Sequence, residues 1–403
     1  MGENTECTQA EAAVQKAERP LRIVLLTDSY HPTVDGMVFV VDSEKKALER
    51  LGHKVFIVAP DPGEKDRIEG VYYFKSAKFS AYNGYYLPIY PSNKLEILSE
   101  INPDVIHSHG LTLMALKGFI AAHTMKVPYV ITMGTMVTDA MKYYLPVKLP
   151  IDIMENLSWV YLRALLNHSD AVVSFTTPIL EELAENGVKP RASRVITAGV
   201  DTDMFRPMEE PEGLRESMGL VGKRAIMCVG RLSFEKHVEQ VVQALKYLPD
   251  DVDLIIDGDG PAQDYIKEVI KEEHQESRTH LIGMVKREDL PKYYTMVEVC
   301  VSASRFETQG LSLMEAMACK VPIVVPRVRA FKEIIIDNEN GFLFDGDIED
   351  MAKRVTEALD SCHGEIRERA MERARSYSEE SSARKLEELY REVIEAKKAR
   401  LAK

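Results

Sequence analysis

The stretch that most restricts the fold runs from Val299 to Pro326 and reads VCVSASRFETQGLSLMEAMACKVPIVVP. A largely apolar run from Val297 to Ala303 reads as a buried strand, and Ser304 to Gln309 as a polar loop. Gly310 opens a short helix, Leu311 to Cys319, which Lys320 and Pro322 stop before a further strand at Ile323 to Val325. Strand, loop, helix and strand in that order make the repeating unit of a parallel α/β sheet.

Within that unit Glu315 stands out. On helical spacing it shares a face with Leu311, Met314 and Ala318, and Ala316 and Met317 make the other side apolar too. A buried carboxylate without partners costs several kcal/mol, so Glu315 needs either an internal cation or the hydroxyl groups of a ligand. Glu307 precedes it with seven residues between them, and Gly310 lets backbone pass close to a bound molecule. The free amides at the start of the helix suit a phosphate or a sugar oxygen.

The pattern Glu307-(seven residues)-Glu315, written ETQGLSLMEAMA, resembles the donor-binding motif of the family 4 retaining glycosyltransferases, which have the GT-B fold. The wording ETQGL resembles the branch that glycosylates diacylglycerol-type lipids. The resemblance implies that Glu307 contacts the donor sugar. The amides of Gln309, Gly310 and Leu311 would hold sugar and phosphate, and Glu315 would take the ribose hydroxyls. It covers about residues 20–395.

The rest of the chain is consistent with two such halves. Arg22 to Thr27 reads as a first buried strand, followed by a loop ending in Gly36, a helix from Met37 to Leu51 and a second strand from Lys54 to Pro60. The single glycine Gly36 stands where the family brings backbone to the donor diphosphate. Asn102 to Gly110 reads as a strand ending in His107 and His109, whose side chains share one face by alternation. His107 is the core residue of the two, and His109, nearer the carboxyl end where ligands bind in open sheets, is the catalytic candidate. Family members commonly carry a histidine where this chain has Gly134, within TMGT, so either His109 takes over that acceptor-side role or the acceptor is held differently.

In the second half the strand Ala225 to Val229 precedes GRLSFEKH. Arg231 and Lys236 there form a pair of cations that can grip a diphosphate, and the resemblance assigns them that role. The resemblance also places Met284 and Val285 against the nucleotide base. From Asp347 the chain reads as helical to its end, broken at Ser376 to Glu379.

Composition narrows the function classes. A formal net charge of -13 argues against a nucleic-acid partner bound by phosphate neutralisation. Five scattered cysteines with no CxxC pair fit a reducing cytoplasm and suggest no metal site. Nothing resembles a signal peptide or a membrane span, so any membrane contact would be peripheral, on the inner face. Two stretches suit such contact: residues 71–95, rich in tyrosine, with Lys75, Lys78 and Lys94 and no acid, and the apolar segment Met136 to Ile153.

The sequence thus predicts an α/β chain of two doubly wound Rossmann-like domains facing each other across a cleft. Residues 1–19 form a tail, 20–204 the acceptor-side domain, 205–375 the nucleotide-sugar domain, and 376–403 a helix returning to the first domain. The expected reaction moves a hexose, with retention, from a nucleotide diphosphate sugar such as UDP-glucose or GDP-mannose to a hydroxyl of a membrane lipid such as diacylglycerol, with no cofactor and no metal. The alternatives are a soluble sugar or polysaccharide acceptor, a nucleotide-sugar 2-epimerase, and a non-catalytic nucleotide-sugar binder. The sequence carries no marker of oligomeric state.

Overall fold

The computed structural model describes residues 19–33, 36–78, 86–89, 95–134, 151–305, 307–361 and 364–403. Most of the expected tail lies outside the described residues. So do residues 79–85 and 90–94 of the tyrosine-rich stretch and 136–150 of the apolar one. Arg19, assigned above to the tail, is instead tied to the first sheet by an ion pair with Asp104 at 2.5 Å.

The first half contains β1 (Arg22–Thr27), β2 (Lys54–Pro60), β3 (Val71–Phe74), the hairpin strands β4 (Ser76–Lys78) and β5 (Tyr86–Pro88), β6 (Val105–His109), β7 (Tyr129–Met133), β8 (Ala171–Ser174) and β9 (Ser193–Val195). Seven of them form one parallel sheet in the order β3-β2-β1-β6-β7-β8-β9. The second half contains β10 (Arg224–Val229), β11 (Val252–Asp257), β12 (Thr279–Gly283), β13 (Val299–Val301), β14 (Ile323–Pro326) and β15 (Phe342–Phe344). They form a second parallel sheet in the order β12-β11-β10-β13-β14-β15. In each sheet the chain moves outward from the first strand to one edge, then returns and moves to the other. That reversal opens a crevice at the carboxyl ends of the central strands.

The strands are aliphatic runs such as RIVLLT and VDLIID, with no regular polar alternation. Helices cover both faces of each sheet, so alternation has no solvent side to serve. Two cores flank the second sheet. Ile226, Leu254 and Val301 point to one, and Met227, Ile255 and Cys300 to the other.

The last helix, Glu379–Leu401, leaves the second half and packs on the first sheet. Its Leu386, Leu389, Tyr390 and Val393 share a core with Ile23, Leu25 and Val105. Ser378 caps it, its side chain accepting the Ser381 amide at 3.2 Å. The crossing is tight at Gly199, where an added Cβ would lie 2.4 Å from the Glu379 Cα.

Candidate active site

The carboxyl ends of β10, β11, β12 and β13 meet at one edge of the second sheet. The loops after β10 and β11 continue the sheet's bonding: Gly230 donates its amide to the Asp257 carbonyl at 3.1 Å, and Leu232 donates to the Asp259 carbonyl at 3.0 Å. Their approach requires glycine. Gly258 has φ +141°, and a Cβ there would lie 1.9 Å from the Gly230 carbonyl oxygen. This interlock fixes the path of the loop carrying Arg231 and Lys236.

Lys236 and Glu307 meet across the site at 2.5 Å. Both are half-buried, and Arg231 is exposed on the same loop. Glu235, between the two cations, is buried and accepts the Ser233 hydroxyl at 2.6 Å, which holds the loop's turn. The loop after β13 leads to Gly310, whose left-handed backbone (φ 76°, ψ 62°) starts the helix Leu311–Ala318. A side chain at Gly310 would meet Phe331 at 2.9 Å, so the turn is restricted to glycine by both conformation and space. Ser312 at the helix start donates to the Val229 carbonyl at 3.3 Å, joining this unit to the end of β10.

Glu315 is 4% exposed, and its partner is internal. Arg287 donates to its Oε1 from Nη2 at 2.6 Å and from Nε at 3.0 Å. Burial pushes the Glu315 carboxyl up to about 7, against the pull of Arg287. Of the two partners open at the sequence level, a cation and a ligand, the cation is present. Arg287 was missed because 28 positions separate it from Glu315 and it sits in an ordinary-looking charged run, KRED. The available signal was the need for a cation near a buried acid.

The side chain of Gln309, whose backbone amide the resemblance assigns to the donor, has a separate use. It is 3% exposed, accepts the Ala198 amide at 2.7 Å and donates to the Ala198 carbonyl at 2.8 Å. Its side chain therefore clasps the first half to the donor loop and is not free for a sugar. Nearby, the Glu333 carboxylate accepts the Thr177 amide at 2.9 and 3.0 Å, a second link between the halves. Met284 is 70% exposed. The Val285 amide donates to Asp257 Oδ1 at 2.7 Å, so it is already engaged at the strand end assigned to the base. Burial lifts the Asp257 carboxyl to about 6.

On the first half, Gly36 is exposed at the start of the helix Gly36–Arg50, with nothing within 4 Å of an added Cβ. His109 is corrected outright. Expected at an open strand tip, it is 0% exposed, with Nε2 3.0 Å from Glu44 on that helix and its ring 4.3 Å from His107. A ring with no solvent exposure does not face the cleft, so the structure does not support His109 as the acceptor-side catalytic residue. Glu44, His107 and His109 do bring ligand-type atoms within 4.8 Å of one another, which no spacing in the sequence suggested. Both His107 nitrogens, however, are taken at 2.7 Å, one by the Tyr390 hydroxyl and one by Thr132. Burial holds the His107 ring well below the ordinary imidazole value, so it stays neutral. At Gly134 the space a side chain would enter is filled by Met37, whose Cε lies 2.3 Å from an added Cβ.

Comparison with known proteins agrees with this fold. The profile "Glycosyl transferases group 1" matches residues 213–377, and "Glycosyltransferase Family 4" matches residues 34–204. The chain belongs to the family 4 glycosyltransferases of GT-B fold. It is 28% identical to the alpha-monoglucosyldiacylglycerol synthase of Streptococcus pneumoniae, over 93% of this chain and 86% of that protein. It is also 28% identical to a GDP-mannose-dependent alpha-mannosyltransferase of Mycolicibacterium smegmatis, over 81% and 85% of the two chains. The solved sucrose-phosphate synthase of Thermosynechococcus elongatus shares the fold, with a TM-score of 0.75 and 21% identity over 94% of this chain and 100% of that one. This protein is thus a glycosyltransferase. Among the described residues no helix is long and apolar enough to cross a membrane.

Proposed function

We propose that this glycosyltransferase moves a hexose from a nucleotide diphosphate sugar to a hydroxyl of a membrane lipid of the diacylglycerol class, with retention and without a metal ion. The observation that carries the reading is the Lys236–Glu307 pair on the rigid glycine interlock beside Arg231. Two cations and a helix start meet there, where charge develops on a departing diphosphate. In this reading the bond from the anomeric carbon to the diphosphate breaks, and the bond to the acceptor oxygen forms on the same face. The acceptor hydroxyl passes its proton to an oxygen of the diphosphate departing on that face, and Arg231 and Lys236 neutralise the charge left on it. Glu307 holds Lys236 in place, and Glu315 takes ribose hydroxyls. The synthase's name supports a glucosyl group and a diacylglycerol-type acceptor, and the mannosyltransferase's name supports GDP-mannose as a candidate donor. Peripheral attachment at the inner membrane face would bring the acceptor within reach.

The test uses the full chain with UDP-glucose, UDP-galactose and GDP-mannose, and anionic phospholipid vesicles with or without diacylglycerol. The expected product is a hexosyl lipid with the donor's anomeric configuration, formed equally well in chelator. Transfer only to a soluble sugar would replace the lipid acceptor. Inversion or strict dependence on a divalent ion would overturn the mechanism. Conversion of the donor to an epimer without any acceptor would make the protein an isomerase.

A further inference from the structure

Arg287 lies where three parts of the molecule converge. It follows β12 by four residues, it carries the two bonds to Glu315, and both bonds end on the single oxygen Oε1. Its guanidinium lies 5.0 Å from the ring of Phe39, on the first half's helix Gly36–Arg50, and 5.1 Å from the ring of Phe205, on the segment joining the halves. Phe205 is fully buried and packs edge-on against Tyr294, whose hydroxyl donates to the Ser312 carbonyl in the helix that carries Glu315. The arginine is therefore held on a charge, on two aromatic rings and, through them, on both halves. A planar guanidinium suits this arrangement, because it can stack and fork hydrogen bonds at once, which an ammonium cannot.

We infer that Arg287 is the positioning residue for the ribose end of the donor: by holding Glu315 through Oε1 it aims Oε2 at the nucleotide, and by stacking on Phe39 it makes that aim depend on the first half being closed over the second. The inference rests on the nucleotide-sugar reading above and adds a residue to it. It explains why a carboxylate only 4% exposed is held by a side chain that is itself 21% exposed. The arginine occupies the carboxylate's outer edge next to the other half, where it responds to the domain contact.

The test is calorimetric binding of UDP and GDP, and of their 2′,3′-dideoxy counterparts, to the full-length wild type, Arg287→Ala, Arg287→Lys and Phe39→Leu. The wild type should prefer the ribonucleotide by about ten- to hundred-fold, the range of a hydrogen bond to a charged group. Arg287→Ala should lose most of that preference while still binding the dideoxy form. Arg287→Lys should retain part of it, and Phe39→Leu should lower it by about two- to five-fold, the scale of an exposed cation–π contact. Equal losses for the ribo- and dideoxy-nucleotides would make Arg287 a structural residue and overturn the inference, with the nucleotide site intact. Binding of neither UDP nor GDP by wild type would overturn the nucleotide-sugar reading and this inference with it. An unchanged preference in Phe39→Leu would overturn the domain-closure half of it.

Discussion

Replacing Gln309 by leucine should loosen the joint between the two halves. The side chain lies inside the donor loop, yet both of its polar atoms are used by the Ala198 backbone, at 2.7 and 2.8 Å. Ala198 is itself 5% exposed, so neither its amide nor its carbonyl can turn to water when the partner is removed. Each buried group left unsatisfied costs about 1–3 kcal/mol, which puts the pair at roughly 2–6 kcal/mol. Leucine is close in volume to glutamine, so the cavity contribution stays small and the measured loss reports the hydrogen bonds. Gln309→Glu is the companion variant: it keeps an acceptor for the Ala198 amide but sets an oxygen against the Ala198 carbonyl.

The assay is urea unfolding followed by two signals. The chain has one tryptophan, Trp159, which is 3% exposed in the core of the first half. Its fluorescence therefore reports that half, while far-ultraviolet dichroism reports both. In the wild type the two transitions should nearly coincide. In Gln309→Leu the loss should appear as a separation of the two curves, because a two-domain chain that loses its coupling stops unfolding as one unit. Coincident curves with stability unchanged within about 0.5 kcal/mol, the scatter of neutral surface changes, would refute the clasp.

Three further outcomes can be checked directly. Lys236→Ala should lower kcat far more than the donor KM, because its charge matters most as the diphosphate departs; a KM effect alone would make Lys236 a binding residue only. Gly258→Ala should destabilise the second half severely, since its Cβ would lie 1.9 Å from the Gly230 carbonyl on a backbone with φ +141°; a normal melting curve would disprove the interlock. Glu315, raised by burial from 4.5 to about 7 in the fold against the pull of Arg287, contributes stability that is complete below pH 4.5 and lost as pH rises through 7. Glu315→Gln should therefore gain on the wild type by up to about 3 kcal/mol between pH 4 and 8 in melting experiments; parallel pH profiles would contradict that shift.

The architecture was largely legible because parallel strands buried on both faces announce themselves as aliphatic runs. RIVLLT and RAIMCV are strands within a residue of where the sequence puts them. The helix starting at Gly310 was legible for a local reason too: glycine, a small apolar helix and a proline stop lie within one stretch. Boundaries drifted where the ending is set by tertiary contact. The helix after GRLSFEKH runs Val238–Ala244 and then tightens at Leu245–Tyr247 into a narrower turn.

The site was legible only in part, and the failures share one cause. Local pattern shows that Glu315 is buried, but its partner comes from another loop, and only the folded sheet brings β12's exit next to that helix. Local pattern puts His109 at a strand's carboxyl end, but whether that end is open depends on which helix crosses it. Here the helix Gly36–Arg50 covers it with Glu44. Gln309 sits among donor-loop residues in sequence and among first-half backbone in space. In each case the sequence supplies the chemistry of one side chain and the fold supplies the second party. The second parties at Gln309 and Arg287, Ala198 and Phe39, both belong to the opposite half. A motif with two of its supports on the other domain is fully braced only while the halves are together, so the proposed donor site ties donor capture to closure at this edge of the sheet.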